Sequence, residues 1–119
     1  MPHLVIEYAR KIEHQTALQP LLQQLFEAAC KGGIIQPQDL KLRALPYDQF
    51  LLRTPDETFL HITLSLLEGR TDTQKEQLAI NLRQVLTEQL PNVTSLSIDI
   101  RDMNAIAYKK RLLPLHNPE

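Results

Sequence analysis

The 119-residue chain has little of what marks several large protein classes. It has a single cysteine, Cys30, and therefore cannot form an internal disulfide. Its formal net charge is -1, which gives no electrostatic reason to expect binding to nucleic acid or to an anionic membrane. No apolar run approaches the roughly 20 residues of a membrane-spanning helix, and the first residues lack the basic and apolar regions of a signal peptide. We therefore expect a cytoplasmic protein with neither nucleic acid nor a membrane as partner.

The chain also lacks the spacing of a metal site. Its histidines are His3, His14, His61 and His116. None is spaced with another histidine or with the cysteine as a zinc site requires, so we predict no metal. Cys30 lies in an apolar helical pattern, which favours a small core residue over a nucleophile.

What the chain does have is the composition of a globular domain, with 43% hydrophobic residues and enough length for a modest core. Residues 4–8, Leu-Val-Ile-Glu-Tyr, are rich in β-forming side chains and predict a short strand. Apolar residues then recur at three- and four-residue steps over 18–29, which predicts an amphipathic helix. Pro20 is expected in its first turn and Gly32-Gly33 after its end.

The next segment alternates polar and apolar side chains over residues 39–45, which is the period of a strand. Pro46 is expected to end that strand. Residues 47–53 allow a further short strand, and residues 54–57, Thr-Pro-Asp-Glu, predict a turn.

The pattern then repeats. Residues 58–67 predict a second apolar strand, and Thr71 with Gln74 forms a capping box that predicts a helix start. The helix should end before Pro91, and residues 93–100 predict a last strand. The expected buried face of this second helix consists of Leu78, Leu82, Val85 and Leu86.

The order of elements predicts an α/β (α+β) fold made of two tandem β-α-β units. We expect one domain over 1–119, with pseudo-repeats at about 2–57 and 58–113. The parallel strands of each unit would form a four-stranded sheet with both helices on one face. The open face would carry about half of the apolar strand residues, which is too much exposed apolar surface for a monomer. We therefore expect the chains to associate through their sheets.

Pro2 offers an unusual chemical possibility. If Met1 is removed, the ring nitrogen of Pro2 becomes a free secondary amine; if Met1 stays, that nitrogen is an amide without basicity. A free α-amino group titrates at about 7.7–8.0, and an apolar site or nearby cations lower its pKa toward neutrality, where a general base works best. The alternative is that Pro2 is an ordinary second residue that ends the chain.

Three cations and one tyrosine are further candidates. Arg70 lies between a strand and a capped helix, where a guanidinium can bind a carboxylate in a two-pronged pair. Lys41 and Arg43 are two residues apart on a predicted strand, so both side chains leave the same face. Each could instead be an ordinary solvated side chain, and Tyr108 could serve packing alone. The basic run 109–111 is too short to indicate nucleic-acid binding.

Two stretches carry a resemblance to a known family. The opening Met-Pro-His-Leu-Val-Ile-Glu-Tyr, in a two-unit chain of this length, resembles the 5-carboxymethyl-2-hydroxymuconate Δ-isomerase family of the tautomerase superfamily. Residues 60–108 also resemble the short subunit of 4-oxalocrotonate tautomerase, in which Leu-Glu-Gly-Arg precedes a Ser/Thr-Asp-x-Gln-Lys helix start. Here residues 67–75 are Leu-Glu-Gly-Arg-Thr-Asp-Thr-Gln-Lys.

The resemblance implies a homotrimeric isomerase without metal or organic cofactor, acting on a small carboxylate substrate. It implies that Pro2 is the general base, that Arg70 binds and polarises the substrate, and that Tyr108 walls the pocket. Where the family has a second arginine this chain has Lys41, which keeps the charge but loses the bidentate fork, so Lys41 or Arg43 could fill that role. The position that corresponds to Pro2 in the second unit is Leu60, inside the chain, so each subunit offers at most one amine.

Three functions follow from these residues. The first is an isomerase of the 5-carboxymethyl-2-hydroxymuconate type, in the catabolism of aromatic compounds. The second is another enzyme on the same scaffold, a dehalogenase or decarboxylase, which would need Pro2 protonated at neutral pH. The third is a non-enzymatic trimeric binding protein. The natural substrate, the removal of Met1 and the subunit that supplies each cation stay open.

Overall fold

The computed structural model describes residues 2–115; Met1 and residues 116–119, which include His116, lie outside the described residues. Four strands and two long helices follow one another along the chain. They are β1 (His3–Ala9), α1 (Leu18–Cys30), β2 (Lys41–Tyr47), β3 (Phe59–Leu67), α2 (Asp72–Gln89) and β4 (Ser95–Met103). Short 3-10 helices at Arg10–His14 and Pro37–Asp39 precede α1 and β2. The two predicted β-α-β units are therefore confirmed.

The strands form one mixed sheet in the order β2-β1-β3-β4. Each unit contributes a parallel pair, β1 with β2 and β3 with β4, and the units meet where β1 pairs with β3 in antiparallel fashion. Because of these directions, β1 and β2 begin at the same end of the sheet at which β3 and β4 finish. We call this end, which carries Pro2, Lys41, Leu67 and Met103, the Pro2 end.

The core lies between the sheet and both helices, as predicted. Alternate residues of the two central strands are fully buried against the helices, namely Leu4 and Ile6 on β1 and Leu60, Ile62, Leu64 and Leu66 on β3. The helices contribute Leu21, Leu25 and Ala29 from α1 and Leu78, Leu82 and Leu86 from α2 to the same cluster. Val85 is only partly buried and packs at its margin. No helix within residues 2–115 combines the length and apolar character needed to cross a membrane.

The helix boundaries follow the predicted signals. Pro20 lies in the first turn of α1, and Gly32 and Gly33 after its end both have positive φ, at 89° and 79°. At the start of α2, the Thr71 hydroxyl accepts a hydrogen bond from the Gln74 amide while the Gln74 side chain accepts one from the Thr71 amide. The capping box is thus confirmed.

The path of β2 corrects the sequence prediction. Pro46 does not end the strand, which continues to Tyr47, and Pro46 is paired with Tyr8 of β1. An edge strand tolerates proline because its outward amide has no partner to lose. Residues 48–58 form no strand; they loop over to β3, with the predicted turn marked by a 3.3 Å hydrogen bond from the Glu57 amide to the Thr54 carbonyl.

The open face of the sheet is less apolar than predicted. In β1 and β3 the long aliphatic side chains occupy the positions that face the helices, so the alternate positions carry His3, Glu7, Thr63 and Ser65. Polar contacts cross this face, including a hydrogen bond of 2.7 Å between His61 Nδ1 and Ser97 Oγ. The expectation that about half of the apolar strand residues lie there is wrong. The remaining apolar side chains include Val5, Leu45 and Phe59.

Candidate active site

Pro2 is buried at the start of β1, at the Pro2 end of the sheet. Its carbonyl oxygen accepts a hydrogen bond of 3.2 Å from the Lys41 amide, so the pairing of β1 with β2 reaches back to this residue. This pairing fixes the direction of the backbone at Pro2. Because Met1 lies outside the described residues, its expected removal stays a prediction.

Lys41 and Arg43 project from β2 on the open face, as their spacing predicted, and both are exposed. Lys41 Nζ lies 3.4 Å from the Asp39 carbonyl oxygen. An Arg43 Nη atom lies 3.1 Å from Nδ1 of His3. Within residues 2–115 neither cation forms an ion pair with a carboxylate, which leaves both able to bind a ligand anion.

Arg70 reaches the same end of the sheet from the connection between β3 and α2. Its guanidinium donates to two backbone carbonyls, Leu67 at 3.0 Å and Ile34 at 3.4 Å. These contacts tie the end of β3 to the segment that follows α1. The preceding residue, Gly69, has a φ of 119°, a conformation that favours glycine. Arg70 thus has a fixed position, and it has no carboxylate partner in the part of the chain that the structure describes.

Tyr108 is carried to this end by the segment after β4. The Asn104 side-chain oxygen accepts hydrogen bonds from the amides of Ile106 and Ala107, at 2.8 and 3.3 Å, which turns the chain. The segment then crosses the strand ends, and the Tyr108 hydroxyl lies 3.0 Å from His3 Nε2. The two rings meet edge to face at 5.8 Å.

The segment that crosses the strand ends is held a second time at Lys110, two residues after Tyr108. Lys110 Nζ donates to the Asp39 carboxylate at 2.8 Å, and the Lys110 side chain is only 9% exposed. This hydrogen bond with Lys110 holds the pKa of the Asp39 carboxyl below its usual range. Residues 104–110 therefore form a strap, which runs from β4 across the sheet end to the segment before β2.

His3 also belongs to this cluster, although the sequence analysis assigns it no role beyond that of a possible metal ligand. It lies directly after Pro2 and faces the same side as Lys41 and Arg43, and that position was a signal available in the sequence. Partial burial, followed by the charges of Arg43 and Lys41, lowers the pKa of His3 below 6.5. This shift favours the neutral imidazole over the protonated form.

The structure thus brings all five candidates, Pro2, Lys41, Arg43, Arg70 and Tyr108, to one end of the sheet. A groove of about 730 Å³ lies elsewhere, between α1 and α2, and is lined by other residues, among them Phe26, Cys30 and Val85. No cluster of three or more histidine, cysteine or acidic side chains that could hold a metal ion occurs within residues 2–115.

Comparisons with known proteins place this geometry in a family context. The family model described as 5-carboxymethyl-2-hydroxymuconate isomerase matches residues 2–115. A solved structure of such an isomerase from Deinococcus radiodurans R1 superposes with a TM-score of 0.82 at 24% identity, covering 92% of this chain and 88% of that one. A 5-carboxymethyl-2-hydroxymuconate delta-isomerase gives a TM-score of 0.81 at 17% identity, over 94% of this chain and 88% of its own.

More distant structures share the fold. A fused 4-OT described as a symmetric trimer has a TM-score of 0.72 at 18% identity, over 86% of this chain and 85% of its own. A search of curated proteins found no match. At these identities the solved structures establish the tautomerase fold, which confirms the predicted architecture.

Proposed function

Because this chain belongs to the 5-carboxymethyl-2-hydroxymuconate isomerase family, we propose that it is a cofactor-independent isomerase that uses Pro2 as a general base. Its substrate would be an unsaturated 2-hydroxy or 2-oxo carboxylic acid of the 5-carboxymethyl-2-hydroxymuconate type. The observation that carries the proposal is the composition of the Pro2 end. A buried proline at the chain start shares this end with Lys41, Arg43 and Arg70, none of which has a carboxylate partner within residues 2–115.

The proposed reaction moves one proton. The Pro2 amine, freed by removal of Met1, accepts the proton of the 2-hydroxyl group, and the electron pair of that O–H bond forms the carbonyl. The conjugated double bond shifts, and a distal carbon takes the proton back from the Pro2 ammonium. The substrate gains and loses no electrons, so the chemistry balances with the amine alone.

Cations would act on both the substrate and the Pro2 amine during this proton transfer. They hold the substrate carboxylates, and they stabilise the negative charge that develops on oxygen in the transition state. They also disfavour a second positive charge nearby, which lowers the pKa of the Pro2 amine toward neutrality. Arg70 suits this role because its two backbone contacts fix its guanidinium.

We also propose a homotrimer. The open sheet face retains apolar side chains, and a fused 4-OT of similar fold is a symmetric trimer. In such a trimer a neighbouring subunit would lie against the open face that carries Lys41 and Arg43.

The test is an intact mass together with an enol–keto assay on 2-hydroxymuconate. We expect a mass that lacks Met1 and a turnover that disappears when an uncleaved N-terminal extension converts the Pro2 nitrogen into an amide. Pro2→Ala should lose much of the activity but not all, because the new terminal alanine keeps an amine. Undiminished turnover by the extended protein would contradict the proposal. An NMR titration showing Pro2 protonated at neutral pH would instead favour a dehalogenase or decarboxylase.

A further inference from the structure

We propose that Arg43, rather than Lys41, is the second carboxylate-binding cation of this site, and that His3 is the residue that positions it. The inference rests on the proposed function, because it assumes that the Pro2 end binds an organic carboxylate. It goes beyond that function by assigning the role to one of two neighbouring cations and by adding a residue to the site.

The two cations differ in how firmly the structure holds them. Within residues 2–115, Lys41 Nζ forms one hydrogen bond, of 3.4 Å, to the Asp39 backbone carbonyl. The Arg43 guanidinium donates to His3 Nδ1 at 3.1 Å, and His3 belongs to the central strand β1. One N–H of Arg43 is used in this way, and the remaining donors can still bind a carboxylate in bidentate fashion. A lysine on a flexible stem offers a point charge without that geometry.

The contacts of His3 fix its tautomer. Nδ1 must accept from Arg43, since a guanidinium only donates, so the proton lies on Nε2 and is donated to the Tyr108 hydroxyl oxygen at 3.0 Å. The Tyr108 hydroxyl hydrogen is then left to donate to a ligand. His3 therefore connects Arg43 of β2 with Tyr108 of the strap in one chain of hydrogen bonds.

Partial burial, and after it the charged groups around His3, favour the neutral form that these hydrogen bonds require. Arg43 and Lys41 face it from β2, and Lys110 acts on it from the strap. Its strand partner on β3, Ser65, carries no charge. Within residues 2–115 the charged side chains that act on the imidazole are thus all cations.

A second histidine on the same face provides a matched comparison. His61 of β3 contacts Ser97 through Nδ1 at 2.7 Å, and within residues 2–115 it forms no hydrogen bond with an arginine. Its substitution changes a histidine of the open sheet face without touching Arg43.

The first experiment is a ¹⁵N NMR titration of the imidazoles. We expect His3 to carry its proton on Nε2 and to titrate below 6.5. Arg43→Met should raise the pKa of His3 because it removes the stronger of the two nearby charges, and Lys41→Met should raise it less. A His3 protonated on Nδ1 at neutral pH would overturn the inference, whatever the protein catalyses.

The second experiment measures the Kd of cis,cis-muconate, an unsaturated dicarboxylate that lacks the 2-hydroxyl group and cannot undergo enol–keto exchange. Arg43→Met should weaken binding by about tenfold or more, the loss expected for a charge-assisted hydrogen bond. Lys41→Met should weaken it less. His3→Leu should weaken binding several-fold, while His3→Asn, whose side-chain oxygen can still accept from Arg43, should restore much of it. His61→Asn should leave the Kd unchanged.

A double variant separates positioning from general damage to the fold. If His3 acts through Arg43, His3→Leu should have no further effect on the Kd once Arg43→Met is present. An equal loss in both backgrounds, a larger loss for Lys41→Met than for Arg43→Met, or absence of muconate binding by the wild-type protein would each overturn the inference. Muconate binding in the expected pattern, without isomerase turnover, would refute the proposed function and leave the inference standing.

Discussion

Arg70 combines a structural and a proposed chemical role in one side chain. Its guanidinium spans the carbonyl oxygens of Leu67 and Ile34, so it links the end of β3 to the segment after α1. A lysine would keep the charge, but its single ammonium could not hold both carbonyls and a carboxylate in a fixed plane.

We expect Arg70→Lys to lower kcat/KM for 2-hydroxymuconate by about tenfold or more, since a bidentate charged contact would be lost. Steady-state kinetics on the purified variant measures this. Arg83→Lys, on the exposed surface of α2, is the matched control and should retain wild-type kinetics. Equal kinetics for both variants would show that Arg70 does not bind the substrate.

The site residues that the sequence predicts differ from His3, which it does not predict, in how far apart along the chain their signals lie. Pro2 and Arg70 stand next to local signals, a chain start and a capped helix, and Lys41 and Arg43 share a face by simple alternation. The role of His3 depends on partners 40 and 105 residues away. No local pattern encodes such contacts; they appear only when the register of β1 with β2 and the path of the strap are known.

At the scale of elements, the strap at 104–110 is held by a nearly buried lysine. Lys110 and Asp39 join the segment after β4 to the segment before β2. Because the folded protein lowers the pKa of Asp39, this pair stabilises the fold above the unfolded pKa of an aspartate, about 3.9, and the contribution is lost as the pH falls through the lower folded value.

Lys110→Met should therefore lower the free energy of unfolding by about 1 kcal/mol at pH 7, with the apolar stem still able to pack. The difference from wild type should shrink as the pH falls from about 4, where Asp39 of the unfolded chain becomes protonated, through the lower pKa of the folded protein. Urea denaturation at several pH values measures both effects. Lys109→Met, at the exposed neighbouring position, should change stability little at any pH; a pH-independent loss for Lys110→Met would exclude the ion pair as its cause.

The elements themselves were largely predictable because their signals are local. Helix periodicity, Pro20 and the Thr71–Gln74 capping box each act within a few residues, and all three predictions agree with the structure. The end of β2 was mispredicted because tolerance of Pro46 depends on an edge position, which is a property of the whole sheet. The polarity of the open face was misjudged for a related reason, since it depends on which alternate residues of β1 and β3 face the helices.

At the scale of the whole molecule, the proposed trimer has to bury the open sheet face. That face is mixed in character, but Leu45 on β2 remains 52% exposed in the single chain. A charge at such a position would be costly to desolvate in a subunit interface and harmless in a monomer.

We expect Leu45→Asp to convert a trimer into monomers, measured by sedimentation velocity or by light scattering after gel filtration. Ile80→Asp is the matched control, since Ile80 is 38% exposed on the helical side of the molecule. It should leave the oligomer intact. A wild-type protein that is monomeric, or a trimer that survives Leu45→Asp, would contradict association through this face.

The antiparallel pairing of β1 with β3 has an evolutionary consequence. It places the start of the second unit at the end of the sheet opposite Pro2, in the middle of a continuous chain. If the two units arose by duplication and fusion and Pro2 is the base, one fused chain keeps a single terminal amine where two separate chains would have two. On that condition only the Pro2 end can carry proton transfer by an amine, and the opposite end, where the Thr58 amide donates to the Thr94 hydroxyl, lies inside the continuous chain.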